Sequence, residues 1–248
     1  MINELPYCGS PPLPGELLMR FNLDPVLIAA LIGAAGLQLW MARRLPARQR
    51  FCALGGWIIA AAALLSPLCA LSVALFAARV AQQMILVLVA APLITAGLPS
   101  RPLRALWPLW AAALAFFVSL WFWHMPLPYD ATFHSVAVYW GMHLSLFGSA
   151  IGLWYALMHH ARAHVVDAFA AGVFTSVQMG MLGACLTLGG HALFRWHLLT
   201  AWAWHLTPLE DQQLGGLLMW VPGIAIFLWV ALRSLARFWA ALDVLRAA

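Results

Sequence analysis

The segment "LEDQQLGGLLMWVPG" (residues 209–223) passes directly from polar to apolar sequence. Two acids and two amides occupy positions 210–213, and an uncharged apolar run follows them to position 232. About 20 such residues, wound as an α-helix, span the hydrocarbon core of a bilayer. The segment therefore predicts a transmembrane helix whose first turn lies at a membrane boundary.

The composition of the whole chain agrees with a membrane protein. Of its 248 residues, 65% are hydrophobic and only 8% are charged, whereas soluble proteins have about 25% charged residues. The net charge of +5 is not gathered into a basic patch interleaved with aromatic residues, so no nucleic-acid partner is expected. No phosphate-binding glycine loop and no activated nucleophile is recognisable. We therefore expect a non-enzymatic protein surrounded by membrane lipid.

Seven apolar segments, each about long enough to cross a membrane, predict the fold. The chain shows no repeat of fixed period and no soluble domain. They cover residues 25–42, 51–71, 80–98, 106–124, 136–158, 166–189 and 213–233. The predicted class is all-α, with one bundle of seven transmembrane helices over residues 25–240. Residues 1–24 are expected to form an uncleaved N-terminal tail, because they lack the basic-then-apolar layout of a signal peptide. Residues 241–248 are expected to form a short C-terminal tail.

The arginines predict the orientation of this bundle, because short basic loops remain cytoplasmic. All thirteen basic residues are Arg, and ten of them fall on one side of the predicted membrane. These ten are Arg43, Arg44, Arg48, Arg50, Arg101, Arg104, Arg162, Arg233, Arg237 and Arg246, which leaves Arg20, Arg79 and Arg195 on the other side. The N-terminal tail is therefore expected outside the cell membrane, and the C-terminus in the cytoplasm.

Histidine and methionine residues collect near the predicted outer boundary and suggest a copper site. Imidazole and thioether are ligands that copper accepts, and ionisable groups within a bilayer commonly mark a functional site. The candidate ligands are His124, His143, His134 and Met84. Supporting roles are expected for Trp123, Tyr129, Asp130, Asp211, Gln212 and Gln213. The alternative is that the methionines pack the core and the histidines are ordinary polar residues.

The polar residues at 210–213 are predicted to serve this outer layer. A carboxylate that holds an imidazole N–H commonly supports a metal-bound histidine, and an amide can both donate and accept hydrogen bonds. We therefore expect Asp211 or Gln212 to contact His124 or His143, and Glu210 to be solvated. The outer-layer residues expected to converge are His124, Tyr129, Asp130, His143 and Asp211.

Small residues support two further expectations. The glycines at 215–216 are predicted to let helices pack closely, as small residues do in membranes.

The four cysteines form no CxxC motif. Cys8 and Cys69 lie toward the predicted outside, where a disulfide is permitted, but the sequence does not pair them. The interpretation favoured for the cysteines is that they are small buried apolar residues.

Four segments carry a resemblance to a known family. They are "FNLDPVLI" (21–28), "VAAPLITAGLP" (89–99), "WHMPLPYD" (123–130) and "DQQLGGLLMWVPG" (211–223). With these segments the chain resembles the CtaG-like cytochrome c oxidase assembly proteins over nearly its whole length. The resemblance implies a multi-pass protein of the bacterial inner membrane that helps mature haem–copper oxidases, with oxidase subunits as partners and copper as its metal.

The chain departs from the family pattern at three positions. Arg79 and Gln83 stand where the family often has two histidines four residues apart, and Tyr139 stands one turn before His143 where another is common. The metal site has therefore either been rebuilt or been lost. Three functions remain open: an assembly factor that assists copper loading or oxidase maturation, a non-catalytic accessory subunit of a terminal oxidase, and a haem or quinone protein that uses His124 and His143.

Overall fold

The computed structural model of the chain is almost entirely helical. It describes residues 5–99, 108–160 and 165–247. Helix accounts for 83% of the structure, and no strand occurs within those three ranges. The predicted all-α class is therefore confirmed for the described part of the chain.

Eleven α-helices are described, numbered here in chain order. Their bounds are α1 Pro25–Met41, α2 Ala47–Leu65, α3 Leu68–Ala74, α4 Phe76–Met84, α5 Ala91–Ala96, α6 Leu109–Trp123, α7 Pro126–His134, α8 Val136–His160, α9 Val165–Leu188, α10 His197–Thr200 and α11 Pro208–Ala247. A π-helical segment, Ile85–Ala90, joins α4 to α5. Short 3-10 turns cover Pro14–Met19, Ala42–Arg44 and Ala201–Trp204.

Five described helical stretches are long and apolar enough to cross a membrane, and this defines the chain as a membrane protein. They are Pro25–Arg44, Phe76–Ala96, Val136–His159, Val165–Leu188 and Pro208–Ala236. Two further pairs of helices qualify together but are bent, α2 with α3 by 47° and α6 with α7 by 74°. The described residues thus contain five candidate spans, or up to seven if each bent pair is one span. The seven predicted segments overlap these stretches in order.

The last helix is longer than its predicted segment. α11 begins five residues before position 213 and continues to Ala247, so residues 241–247 of the predicted C-terminal tail are helical. Pro222 lies inside α11 and does not end it. A capping box begins the helix: Glu210 Oε2 accepts the N–H of Thr207 at 2.8 Å, and Thr207 Oγ1 accepts the N–H of Glu210 at 3.2 Å. Glu210 is exposed as predicted, but its carboxylate also serves as part of this cap.

The position of Arg79 differs from the sequence interpretation. Leu75 has extended backbone angles, ends α3 and precedes the first residue of α4. Arg79 consequently lies within a helix, 1% exposed, rather than in an outer loop. Of the arginines used to predict orientation, Arg101, Arg104 and Arg162 lie outside the described residues.

The N-terminal tail is tied to the bundle. Cys8 and Cys69 form a disulfide with a Cα–Cα distance of 5.5 Å, so the favoured interpretation of these two cysteines as merely small buried residues is wrong. The Tyr7 hydroxyl donates to the Asp24 carboxylate, and the Tyr7 ring stacks on Tyr139 at 4.9 Å between centroids. Burial and the hydrogen bond to Asp24 raise the pKa of Tyr7 to about 12, and the same bond lowers the pKa of Asp24.

Close packing of α11 confirms the role predicted for its glycines. A Cβ on Gly215 would lie 2.4 Å from Cδ1 of Phe76 in α4, and one on Gly216 would lie 2.3 Å from Oγ1 of Thr187 in α9. Atoms cannot approach so closely without displacing a neighbour. The two glycines therefore bring α11 against both α4 and α9, which places the polar start of α11 beside the start of α4.

Candidate functional site

A buried arginine lies at the centre of the polar interior. The Arg79 guanidinium lies 4.0 Å from the Phe133 ring centroid, 5.2 Å from that of Tyr129 and 5.8 Å from that of Tyr139. Arg79 Nη1 donates to Thr132 Oγ1, while Nε is buried without a hydrogen-bond partner. A buried cation is costly unless neighbouring groups compensate it, and aromatic faces attract cations. The three rings therefore act as the nearest stabilising surface for this charge.

A carboxylate counter-ion for Arg79 is missing from the described residues. The single contact of a carboxylate with a basic side chain found among them joins His134 Nε2 to Asp130 Oδ2 at 3.6 Å, between consecutive turns of α7. The His134 side chain is 61% exposed and that of Asp130 35% exposed. These two candidate residues therefore pair with each other at the surface rather than with the buried cation.

A second cluster surrounds Tyr129. Its hydroxyl lies 2.7 Å from His197 Nε2, and His197 Nδ1 lies 3.2 Å from the carbonyl oxygen of Ala74. Because a carbonyl only accepts, Nδ1 carries the proton and Nε2 accepts the Tyr129 O–H. Burial, followed by the positive charge of Arg79, lowers the pKa of His197 to about 3. Neutral His197 therefore links Tyr129 of α7 to the end of α3 through two hydrogen bonds.

His143 and His124 each bond back to their own helix. His143 Nδ1 lies 3.1 Å from the Tyr139 carbonyl oxygen and His124 Nδ1 lies 2.7 Å from that of Leu120. In both neutral rings the Nδ1 must donate, so Nε2 carries the free lone pair. Nε2 of His143 is buried with no hydrogen-bond partner. His143 thus retains a buried acceptor, a feature that needs an explanation.

Two of the predicted copper ligands have other surroundings in the structure. Met84 is buried in the apolar core, and His134 is engaged with Asp130 at the surface. Within the described residues, no three His, Cys, Asp or Glu side chains come together in a way that could hold a metal ion. Methionine is not among these four residue types, so copper binding through His124, His143 and Met84 stays a prediction.

Asp211 has a different partner from the one predicted. Its Oδ2 accepts the N–H of Phe76 at 2.7 Å and its Oδ1 accepts the N–H of Ala77 at 2.9 Å. The first N–H groups of a helix have no partner within that helix, and α4 receives no cap from the side chain preceding it. Asp211 is fully buried and caps α4 from α11. The expected contact of this carboxylate with His124 or His143 is therefore wrong.

Gln212 also bonds to backbone instead of imidazole. Its Oε1 accepts the N–H of Leu193 at 2.7 Å, and its Nε2 donates to the carbonyl oxygens of Leu186 and His191 at 3.2 Å each. It thereby fixes the connection between α9 and α10. Gln213 is partly exposed, and its backbone carbonyl oxygen accepts a hydrogen bond from the Thr187 hydroxyl at 3.4 Å.

The residues of the expected outer layer have different nearest neighbours, although Arg79 approaches both Tyr129 and Tyr139. Asp211 and His124 both approach Phe76, whose ring lies 6.4 Å from that of His124 and 5.5 Å from that of Tyr129. His143 belongs instead to the neighbourhood of Tyr139, with 4.3 Å between ring centroids. Trp123 links two helices through a 2.7 Å hydrogen bond from Nε1 to Ser145 Oγ.

Arg79, Gln83 and Tyr139, the three positions at which the resemblance led us to expect histidines, lie in one region of the structure. Arg79 faces Tyr139, whose hydroxyl lies 3.4 Å from Cys8 Sγ in the disulfide. Gln83 Nε2 donates to Met142 Sδ at 3.5 Å. Sequence reasoning singled out these positions but did not identify Arg79 as the buried centre. The available signal was a single arginine at the edge of an apolar segment, since such residues commonly mark sites.

These features define a class: a multi-span helical membrane protein with a polar interior that holds its own helices together. The chain belongs to the cytochrome c oxidase caa3 assembly factor family (Caa3_CtaG), whose family model matches residues 32–241. No curated protein and no solved structure matches the chain.

Proposed function

We propose that this protein assists the maturation of a caa3-type haem–copper cytochrome c oxidase as a non-catalytic membrane factor. The observation that carries the proposal is the match to the oxidase assembly factor family over residues 32–241. That range includes most of α1 and every later candidate span. The partner is one or more oxidase subunits, contacted within or at the surface of the bacterial inner membrane.

The interior geometry supports a scaffold better than a reaction centre. Asp211 is occupied by two backbone N–H groups, and His197 by Tyr129 and a carbonyl oxygen. A general acid or base must reach the proton that it transfers, whereas these groups are occupied by bonds within the protein. We infer that the interior keeps the helices in a fixed arrangement that an oxidase subunit recognises.

Copper loading is not included in this proposal. The described His, Cys, Asp and Glu side chains offer no three-ligand set, and a copper site in this chain would therefore need methionine sulfur among its ligands. Metal analysis of the purified protein tests this point directly, and one copper per chain would add a copper-binding step to the proposed role.

The proposed topology has seven spans, with the N-terminal tail outside and the C-terminus in the cytoplasm. The Cys8–Cys69 disulfide supports the outside position of the tail, because disulfides persist in oxidising compartments. The basic side chains between α1 and α2 support a cytoplasmic position for that connection. Labelling of Cys8 after reduction checks the proposal, since a thiol reachable only from the cytoplasm would contradict it.

Deletion of the gene followed by complementation tests the function. We expect membranes without the protein to lose assembled, active caa3-type oxidase, and wild-type protein to restore it. The accessory-subunit alternative makes a different prediction, namely that active oxidase purifies with one copy of this protein. A maturation factor is instead expected to be absent from the finished oxidase.

A further inference from the structure

An apolar cavity lies beside His143, apart from the polar contacts around Asp211 and Tyr129. It has a volume of about 290 Å³ and lies between α1, α2, the π-helical segment and α8. Aromatic lining comes from Trp57, Trp140 and Phe147. This volume is close to the roughly 300 Å³ at which small-molecule pockets begin, and it accommodates one substituted aromatic ring.

The cavity opens toward the surface that faces the lipid. Leu144, which lines it, is 70% exposed on α8, and the surface of α1 is mostly open. A ligand would therefore enter from the hydrocarbon phase and must itself be apolar. Trp57 cannot provide a free donor, because its Nε1 already donates to Gln38 Oε1 at 2.6 Å.

His143 gives the cavity a chemical preference. Its Nδ1 donates to the Tyr139 carbonyl oxygen, so in the neutral ring Nε2 is an acceptor, and it has no partner. Gln83 Oε1 is a second buried acceptor without a partner. Both residues line a small void next to the cavity. Because only His143 also lines the cavity itself, its unused acceptor calls for a ligand that donates a hydrogen bond, and an acyl chain cannot do so.

We propose that this cavity binds a membrane quinol, that is, a hydroquinone with an apolar tail. One hydroxyl donates to His143 Nε2, the ring packs among the three aromatic side chains, and the tail leaves past Leu144 into lipid. The oxidised quinone has carbonyl oxygens that only accept, so it cannot satisfy the same atom. The site therefore distinguishes the reduced from the oxidised form. This inference is independent of the proposed role in oxidase maturation.

Binding to protein in phosphatidylcholine nanodiscs tests the proposal. Native mass spectrometry counts bound decyl-tailed benzohydroquinone and the matching benzoquinone, with protein-free nanodiscs as background. We expect one saturable site and about tenfold tighter binding of the hydroquinone, the size expected for one buried hydrogen bond. In His143→Phe the preference for the hydroquinone is expected to disappear. His134→Phe, at the exposed surface, is the matched control and is expected to keep the preference.

A second variant leaves His143 intact. Gly148 lines the cavity, and a Cβ there would meet no atom within 4 Å, so Gly148→Leu fills the space without disturbing the backbone. We expect it to abolish binding, whereas Gly33→Leu, in equally open space but at a position of α1 that does not line the cavity, is expected to bind normally. Equal affinity for hydroquinone and quinone in the wild type would overturn the proposal. Binding that survives Gly148→Leu, or equal binding of decane, would also overturn it.

Discussion

Replacing Asp211 by Asn tests the cap that α11 provides to α4. Both carboxylate oxygens accept a backbone N–H, at 2.7 Å from Phe76 and 2.9 Å from Ala77, which is the arrangement of an ionised carboxylate. Asparagine preserves the size of the side chain but has only one oxygen that can accept a hydrogen bond. Its NH₂ group would face the backbone N–H of Phe76 or Ala77, which is also a donor. One charge-assisted hydrogen bond is lost, and an N–H is left without a partner.

The magnitude of this change follows from the contacts. A hydrogen bond to a charged group contributes about 1.5–3 kcal/mol, and a negative charge at a helix N-terminus adds about 0.3–1 kcal/mol. The expected loss of unfolding free energy is therefore roughly 2–4 kcal/mol. For a chain of this length, that lowers the unfolding temperature by roughly 5–15 °C.

Thermal unfolding in detergent, followed by tryptophan fluorescence, measures the effect, because the chain has 14 Trp. Glu210→Gln is the matched control: the side chain is exposed, and Gln also forms a capping box. We expect this control to change the unfolding temperature by less than about 2 °C. The reasoning is refuted if Asp211→Asn unfolds within that margin of the wild type, or if Glu210→Gln is the more damaging change.

Three further changes probe the packing and the N-terminal anchor. Gly216→Ala places a methyl group 2.3 Å from Thr187 Oγ1, so we expect a loss of about 1–3 kcal/mol and a lower unfolding temperature. Cys8→Ser removes the cross-link and is expected to lower the free energy of unfolding by about 2–4 kcal/mol. Dithiothreitol is expected to lower the unfolding temperature of the wild type but not that of this variant. The pKa of Tyr7 is raised to about 12, so the stability it contributes is present below pH 10 and is lost as pH rises toward 12. A comparison of alkaline unfolding in wild type and Tyr7→Phe measures this loss, and identical profiles would refute the role of the bond to Asp24.

The sequence was sufficient to predict the helical membrane fold because span length and apolar composition are local properties. The close packing at Gly215 and Gly216 was predictable for the same reason, since small residues in a membrane helix mark a tight contact. Asp211 was predicted to hold a neighbouring group, but the sequence did not indicate that this group is the start of α4. A cap donated from α11 to α4 depends on how distant helices meet, and no local pattern encodes that.

Arg79 and the disulfide illustrate the same limit. Hydropathy cannot place a helix boundary to within a few residues, so Arg79 at the edge of a segment was interpreted as part of a loop. The pairing of Cys8 with Cys69 joins residues separated by 61 positions, and such pairing cannot be deduced from spacing. The candidate histidines were chosen by depth in the membrane, whereas helix rotation decides whether they meet.

The most direct measurement of the proposed function is the amount of assembled caa3-type oxidase in membranes that lack this protein. Reduced-minus-oxidised haem spectra and cytochrome c oxidation rates, normalised to oxidase subunit transcripts, give that amount. We predict that both fall in the deletion strain while the transcripts stay constant, and that plasmid-borne wild-type protein restores them. Unchanged haem spectra and unchanged oxidation rates in the deletion strain would contradict a role in oxidase maturation.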